Sequence, residues 1–304
     1  MDVRQLQTLV AVADTGSFAG AARVVNLTAS AVSQQIQTLE GEVGATLFDR
    51  KKRPPQINAK GEELVRAARS VVQTMTEARL TITGGRTAGM LKIGAIRTIS
   101  MRLVPFALAD MSALYADLSF NLTVGISQAL MVDVAAGRLD TALVAEHLGV
   151  PSGLSWTPMF SEPLVLVAPS HAAGLSELSL LYDLPFIRYE TAVPLARQIE
   201  MELSRLGVTP REIAVANTMP SVIGMVQAGL GVAIVPKIAF LDASPGSLYC
   251  TPFRDGAITR RLGLVQRQVS SRSEVLTGLR RILSRRASDM GFDATDGHSQ
   301  SKIR

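Results

Sequence analysis

The stretch "GSFAGAARVVNLTASAVSQQIQTLE", residues 16–40, decides the fold of the N-terminal part of this 304-residue chain. Ser17 and Thr28 each precede a helical pattern, as N-caps do, and a brief turn at residues 26 and 27 separates the two patterns. In the second pattern, spacings of four and three residues turn three apolar side chains toward a core: Val32, Ile36 and Leu39. A first helix is predicted upstream, over residues 3–13. Two short helices joined by such a turn are a helix-turn-helix, whose second helix enters the DNA major groove.

The second helix is predicted to present a polar, uncharged face opposite its apolar residues. The members of that face have hydroxyl or amide side chains: Ser30, Ser33, Gln34 and Gln37. A glutamine amide donates and accepts hydrogen bonds together, which suits the major-groove edge of adenine, and serine bonds to bases or to phosphate. By itself, such a face is more often simply solvated.

A basic cluster follows in "TLFDRKKRPPQIN", residues 46–58, between two short apolar runs. This pattern indicates a two-stranded wing whose tip has four cationic side chains: Arg50, Lys51, Lys52 and Arg53. Basic side chains along the phosphate backbone give affinity and salt dependence without sequence information. The cluster alone fits an ordinary basic loop, but the amide-rich helix followed by the cluster favours DNA binding over both simpler explanations.

A long helix is predicted from residue 60 to about residue 83, because this segment lacks proline and is rich in helix formers. Apolar or small residues recur every three or four positions along it and form a seam: Leu64, Ala68, Val71, Met75, Ala78 and Ile82. Such a seam fits pairing with a second chain, and a dimer addresses two half-sites about 34 Å apart. Packing onto its own domain is the alternative. The glycines of "GGRTAGM", residues 84–90, then end the helix at a hinge.

Beyond residue 90, strand patterns alternate with helix patterns, which predicts parallel sheets covered by helices in two α/β subdomains. Ligands in such folds bind at the carboxyl ends of strands, between the two halves. The candidate residues follow strands or open helices: Arg97, Thr98, Ser100, Ser127 and Thr218. If Arg97 faces the cleft, a carboxylate or other anion is the expected effector class. The hydroxyls at residues 98, 127 and 218 are equally compatible with ordinary N-caps, and Arg97 with a solvated surface arginine.

The composition limits the classes of function. Hydrophobic residues make up 47% of the chain and the formal net charge is +5, which permits an acidic or nucleic-acid partner. The single cysteine, Cys250, allows no intrachain disulfide and no cysteine-based zinc site. The three histidines are scattered, and no phosphate loop, dinucleotide fingerprint or nucleophile elbow occurs, so we expect no enzyme, no metal and no cofactor. With no signal peptide and no membrane-length apolar run, we expect a soluble cytoplasmic protein.

The N-terminal sequence resembles the winged helix-turn-helix of LysR-type transcriptional regulators, most clearly in "GSFAGAA", "AVSQQIQTLE" and "GATLFDR". The C-terminal part is similar to the effector-binding domain of that family, which has the periplasmic-binding-protein fold, in "GRLDTALV", "EPLVLVAP" and "VQAGLGVAIVP". The resemblance implies a sequence-specific regulator whose partners are double-stranded DNA, a small-molecule effector, further copies of itself in a dimer or tetramer, and RNA polymerase. A solute-binding protein of the same periplasmic-binding-protein fold, without a regulatory role, is the alternative.

Family architecture also implies where the chain divides, and the expected fold class is α/β with an α-rich N-terminal domain. The four expected parts are a winged helix-turn-helix, a linker helix with its hinge, a two-subdomain effector-binding domain and a disordered tail, over residues 1–59, 60–89, 90–285 and 286–304. Two crossings near residues 161 and 267 divide the effector-binding domain into subdomain I, residues 90–161 plus 267–285, and subdomain II, residues 162–266.

Overall fold

The computed structural model describes residues 1–52, 54–82, 87–146, 149–243, 246, 248–270 and 272–294, without the side chains of residues 73, 77 and 80–82. Four predictions fall wholly or partly outside these residues: the phosphate contact of Arg53, the seam position of Ile82, part of the glycine hinge, and the tail beyond residue 294. The described residues form a helical N-terminal unit, one long helix and a C-terminal unit built on β-sheets.

The N-terminal unit is a bundle of short helices with a small wing. It contains α1 (Val3–Thr15), α2 (Phe18–Val24), α3 (Ala29–Val43) and the antiparallel pair β1 (Phe48–Asp49) and β2 (Gln56–Ile57). The side chains of Ser17 and Thr28 accept hydrogen bonds from the backbone N–H groups of Gly20 and Ala31, so both predicted N-caps are confirmed. The predicted inner face of α3 is also confirmed, because it is fully buried at Val32, Ile36 and Leu39.

The long helix α4 (Ala59–Ile82) packs onto the N-terminal unit over its first half. Val65 and Ala68 are only 7% and 1% exposed and belong to the core of that unit, so the predicted pairing seam is wrong at Ala68. Leu64 packs against the same core. Val71 and Met75, 44% and 53% exposed, lie further along the helix. The exposed part of the predicted seam therefore begins beyond Ala68.

The C-terminal unit begins with β3 (Gly89–Ile96), α5 (Leu103–Leu114), β4 (Leu118–Gly125), α6 (Ser127–Ala135), β5 (Thr141–Ala145) and β6 (Leu154–Pro169). It continues with α7 (Glu177–Asp183), β7 (Phe186–Tyr189), α8 (Pro194–Arg205), β8 (Glu212–Ala216), α9 (Met219–Gln227), β9 (Ala233–Pro236) and α10 (Lys237–Asp242). Its last elements are β10 (Leu248–Pro252), β11 (Thr259–Arg267), α11 (Ser273–Asp289) and β12 (Asp293–Ala294).

The 16-residue strand β6 runs from one half of this unit into the other. In the first half β3 pairs in parallel with β4 and β5, and β5 pairs antiparallel with β11, which also lies antiparallel beside β6. In the second half β7 and β8 are parallel, while β9 and β10 pair antiparallel with β6. The prediction of parallel sheets is confirmed around β3 and β7. It is wrong beside β6, where the neighbouring strands β9, β10 and β11 all run antiparallel to β6. Parallel neighbours would need a crossover connection that brings the chain back in the same direction.

Two hydrophobic cores mark the two subdomains. The first contains residues between Leu91 and Phe160 and again from Leu262 onward, together with Ile238. The second contains residues between Leu164 and Phe253. The chain therefore returns to the first subdomain before Leu262 and not near residue 267, because β11 already pairs with β5 from Leu262 to Gln266.

The chain stays ordered beyond residue 285, which corrects the expectation of a disordered tail from residue 286. Helix α11 continues to Asp289, and Ala287 and Phe292 are 1% and 3% exposed. The ring of Phe292 stacks on that of Phe160 with centroids 5.5 Å apart, and β12 then pairs with β6. A single phenylalanine in a polar stretch gives no periodic signal, so the sequence did not predict this docking.

Candidate DNA interface and effector cavity

The polar face predicted for α3 lies opposite its buried face. Ser30, Gln34 and Gln37 are exposed, and Ser33 is half-buried. The hydroxyl of Ser30 lies 3.0 Å from that of Thr28, within the capped first turn. The two glutamine amides lie one turn apart on the exposed surface, so the structure presents them together as the prediction of base contacts requires.

Glu40 fastens the end of α3 to the wing, and the sequence reasoning missed it. Its Oε1 accepts hydrogen bonds from the backbone N–H of Leu47 at 2.7 Å and of Phe48 at 3.3 Å. Its Oε2 accepts from Nη2 of Arg50 at 2.7 Å. These bonds join the last turns of α3 to the start of the wing and so set the position of the wing relative to the helix.

The basic cluster of the wing divides by its partners. Arg50 is paired with Glu40, so a phosphate contact from Arg50 has to compete with that carboxylate. Lys51 is exposed, and Lys52 is exposed with its Nζ 2.8 Å from Oε1 of Gln56. A neutral amide competes less with phosphate than a carboxylate does, so Lys51 and Lys52 are the better placed cations of the described cluster.

A cavity of about 510 Å³ lies between the two α/β subdomains. Four of the five predicted effector residues line it: Arg97, Thr98, Ser100 and Thr218. The fifth, Ser127, does not, because its hydroxyl accepts a hydrogen bond from the backbone N–H of Ala145 and so joins α6 to β5. Ten further lining residues were not predicted: Met101, Val124, Tyr189, Met219, Pro220, Ile223, Gln227, Ala239, Asp242 and Ala243. The size suits a small-molecule site.

Arg97 and Tyr189 are two of the polar side chains of the cavity that can donate hydrogen bonds to an anion. Arg97 is exposed and has no ion-pair partner among the described residues. Burial raises the pKa of the Tyr189 phenol, against the opposing charges of Arg260 and Arg97, so the phenol keeps its proton at neutral pH. The cavity therefore offers a guanidinium and a phenolic O–H from opposite subdomains.

A buried ion pair lies directly behind the cavity wall. Nε of Arg260 is 2.7 Å from Oε2 of Glu162, and the two side chains are 8% and 0% exposed. Nη2 of Arg260 donates to the Thr98 hydroxyl at 2.7 Å, and Oε1 of Glu162 accepts from the backbone N–H of Ile238 at 2.8 Å. Thr98 lines the cavity from the first subdomain and α10 lines it from the second, so this network joins both walls.

Asp242, at the end of α10, has a carboxylate with no hydrogen-bond donor among the described residues, although both oxygens are shielded from solvent. Burial, opposed by the charge of Arg102 and assisted by that of Glu162, raises its pKa to about 6. Arg102 does not bond to the carboxylate, since its Nη1 donates to the carbonyl of Leu241 at 2.7 Å. A shielded carboxylate without a donor is unfavourable when ionised.

Asp242→Asn is therefore expected to stabilise the protein at about pH 8 and to lose that advantage below about pH 4, where the carboxyl is protonated in both the folded and the unfolded chain. The folded protein binds this proton more tightly than the unfolded chain does, so the wild type loses stability as the pH rises through about 6 and stays at the lower value above it. The gain at the higher pH should be about 1 kcal/mol. Urea unfolding of both proteins at the two pH values measures the difference, and an equal gain at both would contradict it.

Comparison with known proteins identifies the family. Residues 3–62 match the family described as "Bacterial regulatory helix-turn-helix protein, lysR family", and residues 84–288 match "LysR substrate binding domain". The chain belongs to the LysR family. It is a DNA-binding transcriptional regulator with an effector-binding domain. The alternative of a solute-binding protein without a regulatory role is wrong, because the helix-turn-helix match covers the whole N-terminal unit.

LysR-family proteins of similar length match along most of the chain. The regulator CzcR of Bacillus cereus is 27% identical over 263 residues, 85% of this chain and 89% of that protein. A full-length OxyR variant from Pseudomonas aeruginosa has a TM-score of 0.77 at 22% identity, over 93% of this chain and 94% of that one. CbnR complexed with its target DNA has a TM-score of 0.62 at 18% identity, over 94% and 100%. The two structures show the shared fold.

Two further findings concern the described residues only. No helix among them combines the length and the apolar character needed to cross a membrane. No group of three or more histidine, cysteine, aspartate or glutamate side chains among them is placed to hold a metal ion.

Proposed function

We propose that α3 reads base edges in the major groove through Ser30, Ser33, Gln34 and Gln37, while the basic wing residues 50–53 bind the phosphate backbone. The observation that supports this division is the pair of opposite faces on α3, apolar and buried on one side, amide-rich and exposed on the other. Because Glu40 holds the wing against the same helix, one docking step brings base contacts and phosphate contacts into register.

The regulator is further proposed to act as an oligomer on cytoplasmic DNA. Val71, Met75 and Ala78 form an exposed stripe on the second half of α4, which suits pairing with the same helix of a second chain. Two N-terminal units held in this way address a partly two-fold DNA site. Contacts between effector-binding domains then join two dimers into a tetramer, and the bound assembly contacts RNA polymerase.

The cavity between the subdomains is proposed to bind a small effector with an anionic group. Arg97 without an ion-pair partner and the protonated phenol of Tyr189 support this class of ligand. The effector would shift the assembly between shapes that bend DNA differently, by no more than its difference in affinity for those shapes.

The first test is a titration of the purified protein with the intergenic DNA upstream of its own gene, at several salt concentrations and against random DNA. A specificity ratio above about a thousandfold is expected for a regulator of this kind. Equal, weak and salt-governed binding to both DNAs would contradict sequence-specific reading.

A pair of variants tests whether α3 makes the base contacts and the wing makes the phosphate contacts. Gln34→Ala should relax discrimination at one or two base pairs and cost about 1–3 kcal/mol on the specific site only. Lys52→Ala should weaken binding to specific and random DNA alike and reduce the slope of log affinity against log salt by about one. Both are measured in the same titration, and equal losses on both DNAs in both variants would show that the roles are not divided.

A further inference from the structure

The effector cavity has an apolar middle. Met101 and Val124 line it from the first subdomain, and Met219, Pro220 and Ile223 line it from the second. A ligand that fills this space buries an apolar body against both walls, which favours binding roughly in proportion to the area removed from water. The charged residues of the lining therefore decide which ligands of that shape are accepted.

Those charged residues have opposite signs and lie on opposite subdomains. Arg97 follows β3 in the first subdomain, and Asp242 ends α10 in the second. They are the two ionic side chains among the fourteen lining residues, and neither has an ion-pair partner among the described residues. An isolated cation and an isolated carboxylate in one cavity are matched by a ligand with both a negative and a positive group.

We infer that the effector is an amino-acid-like zwitterion with an apolar body, whose anionic group binds Arg97 and whose ammonium group binds the carboxylate of Asp242. This inference rests on the proposed function, since it takes the cavity to be the effector site. The Asp242 oxygens are shielded from solvent although the residue lines the cavity, so the inference requires the side chain to rotate about its Cα–Cβ bond when the ammonium group binds. Binding then supplies the donors that the folded chain does not.

The charge state of Asp242 suits a side chain that binds an ammonium group. At about pH 8 the carboxylate is ionised and accepts hydrogen bonds only. The charged groups that act on it are Arg102, beside α5, and Glu162 on β6. Arg102 donates to the carbonyl of Leu241 and not to this carboxylate. A ligand ammonium group therefore displaces no hydrogen bond from the described residues when it binds Asp242.

A zwitterion also gives the cavity a way to respond to the ligand. Its two charges bind different subdomains, and both contacts are made together only when the walls stand at the matching separation. Such a ligand has different affinities for different openings of the cleft, which is the condition for shifting a conformational equilibrium. A ligand bound to one wall only has no such preference.

The experiment uses the full chain and two matched sets of probes. One set is L-norleucine, hexanoate and pentylamine; the other is L-phenylalanine, 3-phenylpropanoate and 2-phenylethylamine. Calorimetric titration at about pH 8, with the Tm as a second readout, should show at least one amino acid binding about tenfold or more tightly than the carboxylate and the amine of its set. Asp242→Asn should reduce that preference over the carboxylate to about onefold.

Two control variants assign the result to the named groups. Glu190→Gln neutralises an exposed carboxylate next to Tyr189 but outside the cavity lining, and it should leave the preference unchanged. Arg97→Ala should weaken the amino acid and the carboxylate alike, by about tenfold, and spare the amine. Since Asp242→Asn is expected to stabilise the fold, its loss of preference cannot be assigned to unfolding.

Three outcomes overturn the inference. If the carboxylates bind as tightly as the amino acids, the effector site still accepts an anionic group, but Asp242 does not bind an ammonium group. A preference that survives in Asp242→Asn would place the ammonium elsewhere. No binding by any of the six probes would also reject the zwitterion, while specific binding to the upstream DNA, measured on the same preparation, would show that the regulator itself stands.

Discussion

Arg260→Ala is expected to lower the free energy of unfolding by about 3–5 kcal/mol. Glu162 is fully buried, and the guanidinium of Arg260 is its counter-charge. Removing that guanidinium leaves a buried carboxylate with the backbone N–H of Ile238 as its remaining described donor, and it also removes the donor to Thr98. Urea unfolding followed by far-UV circular dichroism measures the loss.

The neighbouring residue on the same strand is a matched control. Arg261 also pairs with a glutamate, Glu146, but the two side chains are 41% and 42% exposed. Arg261→Ala should therefore cost about 0–1 kcal/mol, because water replaces the lost interaction. Losses of equal size in the two variants would show that burial of the ion pair does not determine its contribution to the free energy of unfolding. Replacing Arg260 and Glu162 together by methionine should recover much of the stability lost in Arg260→Ala.

Ile36→Ala is expected to destabilise the N-terminal unit by about 2–5 kcal/mol and to weaken binding to all DNA sequences. Ile36 is fully buried under α3, so its truncation leaves a cavity beneath the helix that is proposed to read bases. Ile36→Val removes one methylene group and should cost about 0.5–1.5 kcal/mol. Unfolding in urea and DNA titration, carried out on both variants, should show losses that follow the size of the deletion.

A substitution on the opposite face of the same helix separates stability from reading. Gln37 is exposed, so Gln37→Ala should change the free energy of unfolding by less than about 0.5 kcal/mol. Its effect on DNA binding should be confined to the specific site. If Gln37→Ala destabilised the fold as much as Ile36→Ala, the assignment of buried and exposed faces on α3 would be wrong.

The N-terminal unit could be predicted closely because its signals are local. Caps at Ser17 and Thr28, and the spacing of Val32, Ile36 and Leu39, lie within one or two helical turns of what they determine. Strand β6 shows the opposite case. The apolar run "EPLVLVAP" marked only its second half, because the first half, beginning at Leu154, mixes polar and apolar residues that a long connecting strand tolerates.

Side chains whose importance depends on distant partners could not be predicted. Glu162 and Arg260 are 98 residues apart in sequence and meet only because β6 and β11 are neighbours in the sheet. Tyr189 and Asp242 reach the cavity from elements that carry no ligand-binding motif. Ser127 shows the reverse error, since it has the chemistry of a binding residue but its hydroxyl is engaged by the backbone of β5 and it does not line the cavity.

The first half of α4 is part of the N-terminal core, so the N-terminal unit moves with the helix when the far end of α4 turns. Helix α4 has 24 residues, which makes it about 36 Å long, and Ala68 fixes its near end to the bundle that holds α3. A change of about 10° at the far end, where Val71 and Met75 are exposed, would displace the opposite end by about 6 Å. Bases along a DNA strand are about 3.4 Å apart, so this swing is nearly two base pairs. If α4 pairs with its copy in a second chain as proposed, a small rotation between the two helices would be enough to move the two N-terminal units in or out of register with their half-sites on the DNA.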